Sequence, residues 1–424
     1  MSLTRREFMK WMAASTGIAA AAGCAEMGAG AAGRVVVIGG GYGGATCARY
    51  IKLWAPDIDV TIVERNAVFV SCPISNLVIG GNIPIDDVTM GYQGLQDRGI
   101  RVVRGEVVYV DAVARRVRLS GGETLSYDRL VVSPGIDFML ETIPGLKSAE
   151  ARMRVPHAWK AGAQTVALRR QLEAMRDGGV YVLHIPLSPY RCPPGPYERV
   201  CQVADYFRRA KPRSKIIVLD SNSDIQSKKG LFLQSWNGVY KGMIAYRPNS
   251  ELEDVDARGM TVRLAFDKSV QGDVLNVVPP QRAGEIAVKM GLITANERWC
   301  GVDWRTLEST AIKGVHVLGD ATVSAPGMPK SASMANQHGK IAAGAIVALL
   351  KGQPVNQNPV IMNACYSFVD GRSAMHVTSV HKYDAAERTF LPVKGAGGVS
   401  RSASEIEGTY AWGWARNIWG DTLG

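Results

Sequence analysis

At 424 residues, 46% hydrophobic and 21% charged, the chain has the size and composition of a globular protein with two or three cored domains. Its net charge of +11 favours anionic substrates or an acidic partner, yet no Lys/Arg-rich run and no interleaving of basic and aromatic residues points to nucleic acid. The seven cysteines and six histidines form no C-x-x-C or C-x-x-C-H and no convincing metal site, which argues against a c-type haem or a metal centre held by this chain.

The N-terminus reads as an address. Thr4-Arg5-Arg6-Glu7-Phe8-Met9-Lys10 fits the twin-arginine export pattern, and the alanine-rich run from Trp11 to Ala22 is too short for a membrane span. Residues 1–31 are expected to be a twin-arginine signal peptide, cleaved between Gly28 and Gly33, with the mature protein in the periplasm and no integral membrane segment left in it. Cys24 follows Ala-Ala-Gly without the branched residue usual before a lipidated cysteine.

Arg34 to Arg65 predicts one βαβ unit. Val35, Val36, Val37 and Ile38 make a buried strand, and Gly39, Gly41 and Gly44 follow in the spacing G-x-G-x-x-G. The first glycine permits a tight turn, the second lets backbone approach a pyrophosphate, and the third lets the helix lie close to the strand. That helix runs from about Gly44 to Trp54 and aims its N-terminal N–H groups at the phosphates. A second strand, Val60 to Val63, ends at Glu64, whose carboxylate suits a ribose. This much implies a dinucleotide, without saying which.

The loop FVSCPISNLVIGG leaves the strand ends on the ligand side and carries Cys72, which by itself reads most simply as a small buried side chain. From Val107 to Val132 the pattern alternates around a turn at Ser120 to Glu123, predicting a β-meander that closes on Leu130-Val131-Val132-Ser133-Pro134-Gly135. A second α/β unit follows. Leu168, Leu172 and Met175 have helical spacing, Asp177-Gly178-Gly179 breaks the helix, and Val180 to Ile185 makes a strand.

Where a nicotinamide site needs another glycine loop, the chain has Pro186-Leu187-Ser188-Pro189-Tyr190-Arg191-Cys192-Pro193-Pro194-Gly195-Pro196-Tyr197-Glu198. Prolines offer no N–H to a phosphate and block close backbone approach, so this domain keeps the architecture without the nicotinamide loop. Its helix continues with Val200, Val203, Ala204 and Phe207 on one face, and Cys201 is read as a core residue. Residues 230–280 read as a β-rich remainder with a hairpin at Asp256-Ala257-Arg258-Gly259.

Gly314-Val315-His316-Val317-Leu318-Gly319-Asp320 is a strand ending in Gly-Asp, the second signature of flavin-binding folds. With the glycine loop it favours FAD over NAD, Asp320 facing the ribityl and pyrophosphate side. An alanine-rich helix, roughly Ser333 to Lys351, follows it. After Gly352-Gln353-Pro354 the last residues read as a small, β-rich third domain ending in Trp412, Trp414 and Trp419, placed to cover the flavin or a partner.

In order along the chain, GGGYGG, SCPISN, CPPGPYER, VLGDA, MPKSASMANQHGK and NACYSF resemble the flavoprotein subunits of flavocytochrome c sulfide dehydrogenases, a family similar in fold to sulfide:quinone oxidoreductases and glutathione-reductase-like enzymes. The resemblance implies an α/β flavoprotein with two dinucleotide-binding domains and a small C-terminal α+β domain. The expected division is an FAD-binding domain (32–145 and 284–352), a second Rossmann-like domain without a nicotinamide loop (146–283) and the C-terminal domain (353–424).

It further implies that Cys72 is bonded to the 8α-methyl of FAD, that Cys192 and Cys365 form a redox-active disulfide over the flavin, and that Glu198 handles a proton. Hydrosulfide would attack that disulfide, leaving a persulfide on one cysteine and a thiolate on the other, assigned to Cys365 on the flavin side. A flavin takes electrons in pairs and releases them singly, so a c-type cytochrome subunit, in a heterodimer, is the implied acceptor. Three rivals stand beside this. A sulfide:quinone oxidoreductase should show an amphipathic or apolar membrane-facing tail; an NADH-dependent disulfide reductase should carry a cysteine pair on the first helix, where only Cys47 stands; a non-catalytic flavin subunit would serve only as an electron conduit or assembly partner.

Overall fold

The computed structural model describes residues 32–424; the twin-arginine segment and Cys24 lie outside the described residues. The chain opens with β1 (Arg34–Ile38), α1 (Tyr42–Trp54) and β2 (Asp59–Glu64), followed by β3 (Arg101–Arg104) and β4 (Arg129–Val132). A second unit contains α2 (Ala163–Ala174), β5 (Val180–Ile185), α3 (Gly195–Ala210), β6 (Lys215–Asp220), α4 (Lys229–Asn237), β7 (Ile244–Arg247) and β8 (Val274–Val277). The chain then adds β9 (Val315–Val317) and α5 (Ala332–Leu350), and ends with β10 (Val360–Phe368), β11 (Ala374–Asp384), β12 (Thr389–Val399) and α6 (Glu405–Leu423).

A seven-stranded sheet runs from two short strands, Val302–Asp303 and Glu308–Ser309, through β9, β4, β1, β2 and β3. Those last five strands are parallel. The four apolar residues of β1 are buried on both faces, as a central parallel strand requires. The meander Val107–Asp111, Arg116–Leu119 and Thr124–Ser126 forms its own antiparallel sheet before the chain returns as β4, between β1 and β9. The second unit is a parallel sheet in the order β7, β6, β5, β8.

Three local expectations change. The first helix begins at Tyr42 rather than near Gly44, so two of its glycines lie inside the first turn. Within 230–280, α4 is helical, and its Leu231, Phe232 and Trp236 are buried, with Phe232 and Trp236 around Tyr197 at centroid distances of 5.7 and 6.3 Å. The hairpin there does form, with Asp256 Oδ1 accepting from Arg258 N and Gly259 N at 3.0 and 2.9 Å. The C-terminal tryptophans lie on α6, not on β structure.

α6 folds back onto the first domain. Its Asp421 accepts from Tyr50 Oη on α1 at 2.6 Å and from Asn336 Nδ2 on α5 at 2.9 Å, and pairs with Lys340 at 2.7 Å. α1 and α5 themselves lie very close: a Cβ on Gly339 would stand 2.6 Å from Gly43 O. Among the described residues no helix is long and apolar enough to cross a membrane, and no group of three or more His, Cys, Asp or Glu side chains is placed to hold a metal.

Candidate active site

A cavity of about 740 Å³ opens at the carboxyl ends of β1, β2 and β4, lined among others by Gly39, Gly41, Glu64, Cys72, Cys192, Glu198, Asp320 and Cys365. That size is ordinary for a cofactor pocket. The elements that build it come from all three parts of the chain.

The glycine loop divides its roles by geometry. Gly39 has φ +99°, and a Cβ there would meet Ser133 O at 2.3 Å; a Cβ on Gly44 would meet Gly39 O at 2.0 Å. Those two permit the turn and the close packing of α1 on β1. A Cβ on Gly41 meets nothing of the protein within 4 Å, so its backbone faces open cavity at the start of α1. Glu64 holds the loop as well as facing the cavity: its Oε2 accepts from Gly40 N at 2.8 Å, and its Oε1 from Asn66 N and Nδ2 at 2.8 and 2.7 Å.

Asp320 stands in the short helical turn Gly319–Ala321 after β9, and its Oδ1 is buried without a partner from the protein. Burial raises its pKa, against the pull of Arg191 and Lys330. A solvent-excluded acceptor of this kind calls for a donor from a ligand. Together with the open cradle at Gly41 it fits FAD, whose pyrophosphate the loop would hold and whose hydroxyls Asp320 would receive. Nearby, Lys330 is buried, donates to Asp320 O at 3.0 Å and to Thr322 O, and lies 3.7 Å from the Trp299 ring centroid. Burial pulls its pKa down to about 7.

The sulfur side of the cavity is built from three segments. All six described cysteines are free thiols in this structure. Cys192 and Cys365 line the same cavity and act on each other's thiols, which lowers Cys365 to about 7 and raises Cys192. Cys192 adopts φ +59°, a strained conformation for a residue with a Cβ, and its N donates to Lys330 O at 2.8 Å. Cys72 lies in the same cavity wall, its Sγ 3.9 Å from Trp159 O.

Glu198, in the first turn of α3, accepts from Asn76 Nδ2 and from Phe368 N, both at 2.9 Å. Burial raises its pKa although both bonds favour the carboxylate, which leaves it able to hold or release a proton beside the thiols. Sequence reasoning did not single out Arg191, Asn76, Lys228 or Lys330. Arg191 donates to Trp159 O, and although burial works against its charge, Cys72, Asp320 and Cys192 keep its pKa raised. Cys201 and Cys300 are buried and do not line the cavity; Trp236 Nε1 donates to Cys201 Sγ at 3.3 Å, and burial pushes the Cys300 thiol up to about 12.

The chain is similar to known proteins over most of its length. The family model described as "Sulfide dehydrogenase [flavocytochrome c] flavoprotein chain, central" matches residues 165–279, that described as "Flavocytochrome c sulphide dehydrogenase, flavin-binding" matches 357–423, and a pyridine nucleotide-disulphide oxidoreductase model matches 33–170. The "Sulfide dehydrogenase [flavocytochrome c] flavoprotein chain" of Chlorobaculum thiosulfatiphilum is 56% identical over 45 residues, which is 11% of this chain and 94% of that sequence. The chain belongs to the flavocytochrome c sulfide dehydrogenase flavoprotein family.

Other members of the wider fold are more distant. The mitochondrial sulfide:quinone oxidoreductase of Dictyostelium discoideum is 24% identical over 335 residues, 76% of this chain and 72% of that protein. The solved sulfide:quinone oxidoreductase of Aquifex aeolicus superposes with a TM-score of 0.75 at 16% identity, over 92% of this chain and 91% of that one. These likenesses and the topology establish a two-domain, FAD-dependent oxidoreductase fold with a small C-terminal domain, in a family of sulfide-oxidising flavoproteins.

Proposed function

We propose that this protein oxidises sulfide at the Cys192–Cys365 pair and delivers the electrons through FAD to a c-type cytochrome subunit. The observation that carries the reading is the pairing of those two thiols in the cavity wall that also holds Cys72, Asp320 and Glu198. In the oxidised enzyme the pair is a disulfide. Hydrosulfide adds to one sulfur, the S–S bond breaks, and the products are a persulfide and a thiolate, so the disulfide takes up the two electrons that sulfide loses. After that step Glu198 receives the proton that the persulfide sheds, since its buried carboxyl lines the same cavity and its proton affinity is raised.

Gly39, Gly41, Gly44, Glu64 and Asp320 would hold FAD and Cys72 would tether it; a flavin bound there would supply two-electron uptake and one-electron release. The protein's own part is to keep the thiols at the cavity wall, set their protonation and hold the proton at Glu198. A cytochrome acceptor is favoured over quinone because the family name specifies a flavocytochrome. The twin-arginine pattern supports a periplasmic place for this reaction.

Peptide mass spectrometry of the oxidised, non-reduced protein should find Cys192 and Cys365 linked; unlinked thiols would remove the mechanism. Co-purification with a haem-staining subunit is expected, whereas reduction of a quinone analogue without any cytochrome would favour the sulfide:quinone alternative.

A further inference from the structure

Beside the thiol pair lies a cation with no role assigned so far. Lys228 is 7% exposed, and its Nζ donates to Ser367 Oγ at 2.7 Å and to Cys365 O at 3.3 Å. Both acceptors are neutral. The residue sits at the start of α4 with φ +53° and ψ +33°, a left-handed conformation that surrounding structure, not local preference, maintains. Cys192, across the pair, is held in the same region of backbone space at φ +59°. Two strained residues therefore flank the two sulfurs.

A buried ammonium without a countercharge is expensive in free energy, and the groups that can supply one here are few. Burial lowers the pKa of Lys228, and the anionic forms of Cys365, Glu198, Cys192 and Glu407 oppose it, Cys365 most strongly. In the disulfide neither sulfur is charged. Opening the disulfide toward Cys365 puts a thiolate on the residue whose carbonyl already holds the ammonium; opening it toward Cys192 puts the charge on the sulfur that acts on Lys228 less.

We propose that Lys228 sets the direction of sulfide attack, its buried ammonium stabilising Cys365 as the leaving thiolate so that Cys192 receives the sulfur. This rests on the disulfide mechanism proposed above and adds a positioning residue to it. The step balances: HS⁻ forms a bond to Cys192 Sγ, the Cys192–Cys365 bond breaks, the proton stays on the terminal sulfur of Cys192–S–SH, and the negative charge moves to Cys365. Lys228 keeps its protons throughout. A better-stabilised leaving thiolate departs faster, which is how an electrostatic bias becomes a choice between two sulfurs.

The test uses the FAD-loaded protein, reduced with dithiothreitol and alkylated with iodoacetamide across a pH series, the two cysteines being followed separately by peptide mass spectrometry. The charged groups facing Cys365 are Cys192, Lys228 and Glu198. In the wild type Cys365 should react ahead of Cys192, half-reacting near pH 7. In Lys228→Met that midpoint should move up by about one pH unit or more, and Lys228→Arg should retain the wild-type order. After limiting sulfide the oxidised wild type should carry the extra sulfur on Cys192, and Lys228→Met should distribute it over both cysteines.

An unchanged Cys365 profile in Lys228→Met overturns the assignment. If that variant does not accumulate folded, Ser367→Ala removes the hydroxyl that anchors Nζ; a smaller upward shift supports the assignment and no shift overturns it. Absence of a Cys192–Cys365 link in the wild type would sink the disulfide mechanism itself. An intact link with an unmoved alkylation profile would sink Lys228 alone.

Discussion

Asn76 Nδ2 donates to Glu198 Oε2 at 2.9 Å, and that bond joins the loop carrying Cys72 to the helix that follows Cys192. The other carboxylate oxygen, Oε1, accepts from Phe368 N on β10, the strand that carries Cys365. One buried side chain thus ties together the three segments that bring sulfur to the cavity.

Glu198→Gln should lower sulfide-dependent turnover by about 10²-fold or more while flavin stays bound. Its stability signature has a definite sign. Burial raises the folded-state pKa of Glu198 above the unfolded value, so between the two the folded protein binds more protons and stability falls as pH rises. The melting temperature of the wild type minus that of Glu198→Gln should therefore decrease as pH rises from about 4.3, the ordinary glutamate value. A difference flat in pH would contradict this.

The two glycines of the loop should fail differently. Gly44→Ala forces a Cβ to within 2.0 Å of Gly39 O and should destabilise the domain by about 1–3 kcal/mol or prevent folding. A methyl in Gly41→Ala meets no protein atom within 4 Å, so the chain should fold with near-normal stability and lose flavin content. Thermal melts and the flavin-to-protein absorbance ratio separate the two.

For Cys72, acid precipitation of the wild type should carry yellow flavin down with the polypeptide, and Cys72→Ala should release it to the supernatant. Free flavin from the wild type would refute the thioether.

Lys330 gives a pH effect opposite to that of Glu198. Burial depresses its folded-state pKa to about 7, below the unfolded value of about 10.4, so the unfolded chain binds more protons across that window and stability rises with pH. Relative to Lys330→Met, the wild type should gain melting temperature between pH 7 and pH 10. A loss over that range would show that the ammonium is not desolvated.

The parts of the molecule legible in the sequence were those with a local period or punctuation. β1, β2 and the meander announce themselves through apolar runs and turns, and Gly39, Gly41 and Gly44 through spacing. α4 escapes a sequence reading because only one helical interval, Phe232 to Trp236, marks its buried face and Gly230 lies in its first turn. α6 was hidden by three tryptophans and several glycines that read as loop or strand, although Ser404 caps it by accepting from Glu407 N. Arg191, Asn76, Lys228 and Lys330 carry no pattern at all. Each becomes functional only through contacts between distant segments, as Lys228 does by reaching Ser367.

The central claim, that electrons enter from sulfide through Cys192 and Cys365, is tested most directly by anaerobic sulfide titration of the flavin absorbance in the wild type and in Cys365→Ser. The account predicts that sulfide bleaches the wild-type flavin and leaves that of Cys365→Ser oxidised. Equal bleaching of both proteins, or a wild-type flavin that sulfide does not reduce, would contradict it.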